Sequence, residues 1–137
     1  MFFLYPWFSS NYLKVKDIGI VDVLVAPFRV VPRFTELTFE EICDLFSCAQ
    51  TIGKVIEREY HATSLTIAIQ DGPEAGQTVP HCHVHLIPRK AGDYANNDDI
   101  YNDIDKSSKI DNEERQPRSL EEMTKEAEFL RQFFNNS

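Results

Sequence analysis

Two runs of alternating residues, joined by a ten-residue loop, constrain the fold of this chain most strongly. The first run covers Thr63 to Gln70 and the second covers His81 to Ile87, where we expect Pro88 to end the strand. In each run apolar side chains fall on one face and more polar side chains on the other, because side chains alternate across a strand. Adjacent runs of this kind predict two antiparallel strands with an apolar back and a polar front.

A long helix is expected between an earlier strand and these two runs. Residues 21–26 are mostly β-branched and predict a short strand that is closed by Pro27. Thr38 can cap a helix and Glu41 can reach back to complete a capping box. Apolar residues then recur at helical spacing as far as about Tyr60. The pattern predicts one amphipathic helix from about Phe39 that packs on a sheet.

The last third of the chain is expected to be a loop followed by a second helix. Residues 91–118 are charged, poor in aromatic residues and without a clear period, which predicts a mobile acidic surface loop. The C-terminal helix is expected to begin at Ser119, with Glu122 completing a capping box. The order strand, helix, strands, helix predicts an α+β domain on an antiparallel sheet over residues 21–137, preceded by a separate segment, residues 1–20.

Length and charge exclude several classes of protein. The 137 residues suffice for one domain, and the formal net charge of −8 disfavours nonspecific binding to nucleic acid, which needs a basic face. The apolar start covers only eight residues and lacks a basic region before it, so neither a signal peptide nor a membrane span is expected. The odd count of three cysteines argues against a disulfide framework. We therefore expect a cytoplasmic protein, with the nucleus as a further compartment.

Three of the four histidines fall on one face of the second run: His81, His83 and His85. Successive same-face residues on a strand lie about 6.5–7 Å apart, so we expect the imidazoles to form a hydrogen-bonded row. A hydrogen bond at one ring nitrogen fixes the tautomer and leaves the other nitrogen as an acceptor or nucleophile. A neutral imidazole directed at phosphorus can attack it and form a nucleotidyl-histidine intermediate, which water then hydrolyses.

Zinc binding is the competing interpretation of the same spacing, because a His-x-His pair on a strand suits zinc. We expect Cys82 to point to the opposite face, and no carboxylate shares the histidine face of this run. Spacing alone leaves a zinc-structural or metal-storage module open as an alternative.

The loop before the histidines carries groups that suit phosphate binding. Gly76, Gln77 and Thr78 offer backbone N–H, amide and hydroxyl donors to phosphate oxygens, where charge builds in the transition state. Gln70 ends the first run and on its own is a surface amide. Gly72 and its neighbours can simply turn the chain.

These residues also carry a family resemblance. The stretch Gln70 to His85, Gln-Asp-Gly-Pro-Glu-Ala-Gly-Gln-Thr-Val-Pro-His-Cys-His-Val-His, resembles the signature of the histidine-triad superfamily. The stretches 87–93 and 97–101 resemble the fragile-histidine-triad branch, the dinucleoside triphosphate hydrolases. The resemblance begins at about Asp22 and extends into the C-terminal helix, so it covers most of the chain, and the block around the histidines is highly specific.

The resemblance implies cleavage of diadenosine triphosphate to AMP and ADP through a covalent nucleotidyl-histidine. It implies that His83 is the nucleophile and that His81 belongs to the network that orients it. It implies that His85 contacts phosphate and handles a proton, and that Gln70 touches the bridging phosphate. The phosphate path would be lined by Gly76, Gln77, Thr78 and Val79.

The resemblance further implies a homodimer whose two sheets join across the interface. A divalent cation, Mg²⁺ or Mn²⁺, would arrive with the substrate rather than on protein ligands, so no metal site is expected at the triad. Neither nucleic acid nor a membrane is expected as a partner.

The N-terminal region departs from the family pattern. Family members have about a dozen more residues there, an Asn-x-x-Pro segment that holds the ribose, and a Gly-His pair before the first strand of the domain. In this chain Val21 and Asp22 occupy the Gly-His position, and residues 14–17 replace the Asn-x-x-Pro segment. A nucleotide-binding signalling protein with little or no turnover is therefore the alternative to a hydrolase, with the acidic loop around Tyr101 as its partner surface.

Overall fold

The computed structural model describes residues 13–15, 21–108, 121, 124–125, 128–129 and 132, with the backbone alone at 13–15 and 105–108. The described strands are β1 (Leu13–Val15), β2 (Val21–Val25), β3 (Ser64–Ala68) and β4 (Val84–Arg89). They are antiparallel and form one sheet in the order β1-β2-β4-β3. The helices are α1 (Phe39–Glu59) and α2 (Asp99–Ser108), so the expected α+β domain with an antiparallel sheet is confirmed.

Helix α1 covers the back of the sheet, as its apolar stripe predicts. The Thr38 side chain accepts from the Glu41 backbone N–H, and the Glu41 carboxylate accepts from the Thr38 N–H, so the predicted capping box is present. Leu45, Ile52 and Ile56 are fully buried against the sheet. The core between α1 and the sheet also contains Val23, Val25, Cys48, Cys82, Val84 and Leu86.

Strand β4 is shifted toward the C-terminus relative to the prediction. It begins at Val84 rather than His81, and it continues through Pro88 to Arg89. Pairing with β2 ends at Leu86, so Pro88 lies beyond the last β4 residue that pairs with β2, and its missing N–H costs no hydrogen bond on that side. The prediction that Pro88 ends the strand is therefore wrong, and His83 lies just before the strand.

The prediction of a mobile loop over residues 91–118 is wrong for Asp99–Ser108, which form α2. Ile100 and Ile104, one helical turn apart, are buried and pack with Ile87 on the front of the sheet. Two apolar residues among many charges give a weak periodic signal, although their i, i+4 spacing marks one helix face. The front of the sheet is thus apolar where α2 packs on Ile87, and polar beside the histidines and at Thr66 and Arg89.

The C-terminal helix expected from Ser119 lies largely outside the described residues; the described positions 121, 124–125 and 128–129 are helical. The expected divergent segment, residues 1–20, also lies outside them apart from strand β1. In the described part of the chain, neither helix combines the length and the apolar character that crossing a membrane requires.

Candidate functional site

His83 is the part-buried imidazole at the centre of the histidine cluster. Its Nδ1 lies 2.7 Å from the backbone carbonyl of His81, and because a carbonyl only accepts, Nδ1 must carry the proton and donate. The other ring nitrogen, Nε2, is therefore left with a lone pair. Burial lowers the pKa of His83 below its ordinary value of 6.5, against the opposing effect of the bond to His81. His83 is thus held neutral at neutral pH, with a nucleophilic nitrogen.

His81 and His85 are oriented by groups of strand β2 and of the segment that follows it. Nε2 of His81 donates to the carbonyl of Pro27 at 3.0 Å. Nδ1 of His85 lies 3.0 and 3.2 Å from the two carboxylate oxygens of Asp22. The His85 pairing follows from the register, since β4 and β2 are paired at His85 and Leu24, and Asp22 is the diagonal neighbour on the same face.

The three rings are brought together, but not as the row of mutually bonded imidazoles that the spacing predicts. Each ring donates to a carbonyl or carboxylate instead of to its neighbour. The ring centroids of His83 and His85 are 5.0 Å apart, with the planes at 64°. The prediction of a row fails because regular strand geometry begins only at Val84, after His81 and His83.

Asp22 is the site residue to which sequence reasoning gave no role. Asp22 is only 4% exposed and His85 only 3% exposed, so their contact is buried. The two residues are 63 positions apart, and only the pairing of β2 with β4 brings them together. The available signal was that Asp22 occupies the position at which the resembled family has a histidine.

Cys82 lies on the opposite face from the histidines, as predicted. Its side chain is 1% exposed and packs in the core under α1. Its backbone N–H donates to the carbonyl of Val31 at 2.6 Å, which fixes the segment between His81 and His83. Desolvation raises the pKa of the Cys82 thiol to about 11, so it is neutral and does not compete as a nucleophile.

The loop between β3 and the histidines is held by bonds within itself and to residues 32–34. Gly72 and Gly76 have positive φ angles of 100° and 91°, which favour glycine. The Asp71 carboxylate accepts from the Phe34 N–H at 2.7 Å and from the Arg33 guanidinium, and this ion pair lowers the pKa of Asp71. The loop is therefore fixed in place before any substrate arrives.

Gln77 is the central brace of this loop. Its Oε1 accepts from the Gly72 N–H at 2.7 Å, and its Nε2 donates to the carbonyls of Pro32 and Val79 at 2.8 and 2.9 Å. The His81 N–H donates to the same Val79 carbonyl at 2.8 Å, so the brace connects directly to the histidine segment. The Gln77 amide is thus occupied within the loop.

The backbone N–H groups of Gly76 and Gln77 are also engaged, with the carbonyls of Pro73 and Gly72. This differs from the expectation that these N–H groups point at phosphate, because the turn uses them to close its own hydrogen bonds. The predicted contacts of Gln70, Thr78 and Val79 with substrate stay predictions; Val79 is 42% exposed beside the histidine segment.

The metal alternative can be compared with the donor chemistry of the site. Within the described residues, no three His, Cys, Asp or Glu side chains are grouped as they would be around a metal ion. The ring nitrogens of the triad that carry protons donate to Pro27, His81 and Asp22. Each ring is therefore held by a different acceptor, and zinc binding stays a competing prediction.

The lowered pKa of His83 predicts a specific pH dependence. Protonation removes the Nε2 lone pair, so the rate of nucleophilic attack should fall only as the pH drops through a value below 6.5. Burial is the largest effect on this pKa; the charges of His85 and His81 also lower it, whereas the bond to the His81 backbone and the charge of Asp22 raise it. Single-turnover rates of adduct formation, measured against pH, check this expectation. An acid limb centred above 6.5 would contradict it.

Comparison with known proteins adds to this geometry. Residues 20–92 match the model of the family described as HIT domain. The chain is 50% identical over 133 residues to the bifunctional bis(5'-adenosyl)-triphosphatase/adenylylsulfatase FHIT of Arabidopsis thaliana, covering 93% of this chain and 74% of that protein. It is 51% identical over 129 residues to the bis(5'-adenosyl)-triphosphatase of Dictyostelium discoideum, covering 94% and 82%.

Among solved structures, the chain resembles the diadenosine triphosphate hydrolase of Plasmodium falciparum, determined in complex with cyclomarin A. The TM-score is 0.64 at 28% identity, and the match covers 87% of this chain and 64% of that chain.

Proposed function

Since the chain belongs to the HIT domain family, we propose that it is a hydrolase that cleaves diadenosine triphosphate to AMP and ADP. The observation that carries the proposal is the protonation state of His83. Its imidazole is neutral, its Nδ1–H donates to the His81 carbonyl, and its Nε2 is nucleophilic. The names of two relatives at about half identity supply the substrate class.

The reaction proceeds in two displacements at the α-phosphorus. In the first, Nε2 of His83 forms a bond to phosphorus as the bond from phosphorus to the bridging oxygen breaks, and ADP leaves with that oxygen. The His81 carbonyl continues to accept the hydrogen bond from Nδ1 of His83, and it stabilises the positive charge that develops on that ring. In the second, water attacks phosphorus and gives its proton to Nε2 of His85, while the N–P electron pair returns to His83.

We assign the divalent cation, Mg²⁺ or Mn²⁺, to the substrate. The triphosphate oxygens are hard ligands of the kind that Mg²⁺ prefers. Bound there, the cation would offset phosphate charge. The roles left to the protein are those of the triad and of the braced loop around Gln77.

Hydrolysis in ¹⁸O-labelled water tests this proposal. Diadenosine triphosphate and Mg²⁺ are incubated with the protein, and the products are separated and weighed by mass spectrometry. We expect AMP and ADP in equal amounts with the label only in AMP, because water attacks the phosphorus that His83 has captured. Label in ADP, or the absence of both products, contradicts the proposal. Tight binding of a nonhydrolysable dinucleotide without turnover would instead support the signalling alternative.

We also infer that two copies of the chain pair along strand β3. The strand order leaves β3 at the edge of the described sheet, with its outer backbone groups unpaired by another described strand. Ile67 on this strand is 55% exposed and Phe46 on α1 is 41% exposed, and both line one open concavity with Leu65 and Cys43. An apolar sheet edge beside an apolar helix surface suits a second copy, which would extend the sheet across a two-fold axis.

Replacing Ile67 with lysine tests the pairing. The Ile67 side chain is exposed in one chain, so Ile67→Lys should fold, while a charge at the edge should prevent strand pairing. Size-exclusion chromatography with light scattering should give twice the chain mass for the wild type and the chain mass for Ile67→Lys. Exposed Thr35→Lys, in the segment before α1, is a matched control and should remain a dimer. A monomeric wild type contradicts the inference.

We place the protein in a reducing compartment, the cytoplasm with the nucleus as a further site. Cys48 and Cys82 are buried free thiols, each with its pKa raised to about 11 by desolvation, and Cys43 is free and exposed. Cell fractionation with an antibody to the chain tests this placement, and recovery from a secreted fraction would contradict it.

A further inference from the structure

We propose that Asp22 is a positioning residue for the reaction, acting through His85. The proposal rests on the hydrolytic function above and concerns a residue in strand β2, outside the histidine segment. It begins from a buried contact, in which both carboxylate oxygens of Asp22 lie within 3.2 Å of His85 Nδ1.

The first step is the tautomer of His85. A carboxylate only accepts hydrogen bonds, so its contact with Nδ1 requires that Nδ1 carry a proton. In the neutral ring, Nε2 is then the nitrogen with the lone pair. The Asp22 carboxylate thereby determines which nitrogen of His85 is available, just as the His81 carbonyl does for His83.

The second step is the state of that available nitrogen. His85 Nε2 is buried and has no hydrogen-bond partner among the described residues. A buried polar atom without a partner is costly, so such an atom in a folded site needs an explanation. The neighbouring His83 ring is 5.0 Å away between centroids, which places the unpartnered Nε2 beside the imidazole that takes up the nucleotide. The hydrolytic water can donate to this lone pair and is the partner that the reaction brings.

The third step is charge. When Nε2 takes up a proton during turnover, the His85 ring, which is only 3% exposed, becomes a buried cation. An isolated buried cation is strongly disfavoured, and a hydrogen bond to a carboxylate offsets part of that cost. Asp22 therefore stabilises the protonated ring as well as orienting the neutral one. A neutral amide at the same position can hydrogen-bond to either tautomer of the ring, and it cannot offset the charge of the protonated ring.

Asp22→Asn is the sharpest variant, because the amide matches the carboxylate in size and lacks its charge. We expect kcat to fall about 10- to 100-fold while KM is little changed, since Asp22 acts through His85 and does not contact the substrate. In Asp22→Ala, added formate should restore part of kcat by supplying a carboxylate. Asp103→Asn is the matched control; it removes the carboxylate that accepts from the Tyr94 hydroxyl, far along the chain from the triad, and should leave kcat unchanged.

The tautomer is measured independently of activity by ¹⁵N NMR of labelled imidazoles. We expect a protonated Nδ1 and an unprotonated Nε2 for His85 in the wild type, and a mixture of tautomers in Asp22→Asn. Unchanged kcat in a folded Asp22→Asn, or an unprotonated Nδ1 in the wild type, overturns the proposal. If the wild type does not hydrolyse diadenosine triphosphate, the proposed function fails, while the NMR spectrum still decides whether Asp22 sets the His85 tautomer.

Discussion

Replacing His83 with alanine should reduce the hydrolysis of diadenosine triphosphate by about 10⁴- to 10⁶-fold, the range found when a covalent nucleophile is removed. The ring lies in a part-buried position with its Nε2 free to attack, and its neighbours are oriented for other contacts. Neither neighbour is placed to replace it, because the His81 Nε2 is engaged with the Pro27 carbonyl and the His85 ring is only 3% exposed. Steady-state release of AMP measures the effect.

The control for this variant is the fourth histidine. His61 lies just after α1, is exposed and has a positive φ of 53°, so asparagine is the substitution that its backbone tolerates. His61→Asn should keep wild-type activity. Binding of a nonhydrolysable dinucleotide to His83→Ala should persist, because the braced loop remains. Comparable AMP production by His83→Ala and the wild type would rule out His83 as the nucleophile.

Gln77→Ala should have the second largest effect, a loss of about 10²-fold in kcat/KM, which is the scale of a misplacement of about 1 Å at a reacting centre. The substitution removes three hydrogen bonds, one from the Gly72 N–H and two to the carbonyls of Pro32 and Val79. The Val79 carbonyl also accepts from the His81 N–H, so a loosened loop displaces the histidine segment. Initial rates at varied substrate concentration give kcat/KM.

Two companion variants test whether the loss of kcat/KM in Gln77→Ala comes from a loosened loop. Gln77→Glu keeps the acceptor for the Gly72 N–H but loses both donated bonds, so its activity should lie between those of the wild type and Gln77→Ala. Glu74→Ala, an exposed change in the same loop, should not lower kcat/KM. Limited proteolysis should cleave the loop of Gln77→Ala faster than that of the wild type. Full activity and unchanged proteolysis in Gln77→Ala would contradict the claim that the Gln77 side chain holds the loop in place.

Short-range sequence patterns predict much of the fold. The capping box at Thr38 and Glu41 and the apolar stripe behind it predict α1 within a residue or two, because capping and helical periodicity are short-range effects. The alternation of Cys82, Val84 and Leu86 correctly predicts the face that packs under α1. Alternation could not locate the start of β4, since an extended segment such as 81–83 alternates whether or not it is paired.

Contacts between distant parts of the chain could not be predicted in the same way. Helix α2 is held by Ile100 and Ile104 against Ile87, and two apolar residues in a charged segment are too few to establish a period. The pairing of Asp22 with His85 depends on the register of β2 against β4, which the sequence leaves open. The site therefore differs from its prediction where tertiary contacts orient the rings and close the loop.

The central claim is that His83 takes up a nucleotide. The direct test mixes the protein with diadenosine triphosphate and Mg²⁺, quenches it rapidly in base, where phosphoramidates survive, and analyses the peptides by mass spectrometry. We expect one AMP on the peptide that contains residues 81–85, with fragmentation placing it on His83, and none in His83→Ala. An adduct on His81 or His85, or turnover without any adduct at the earliest times, would contradict the account.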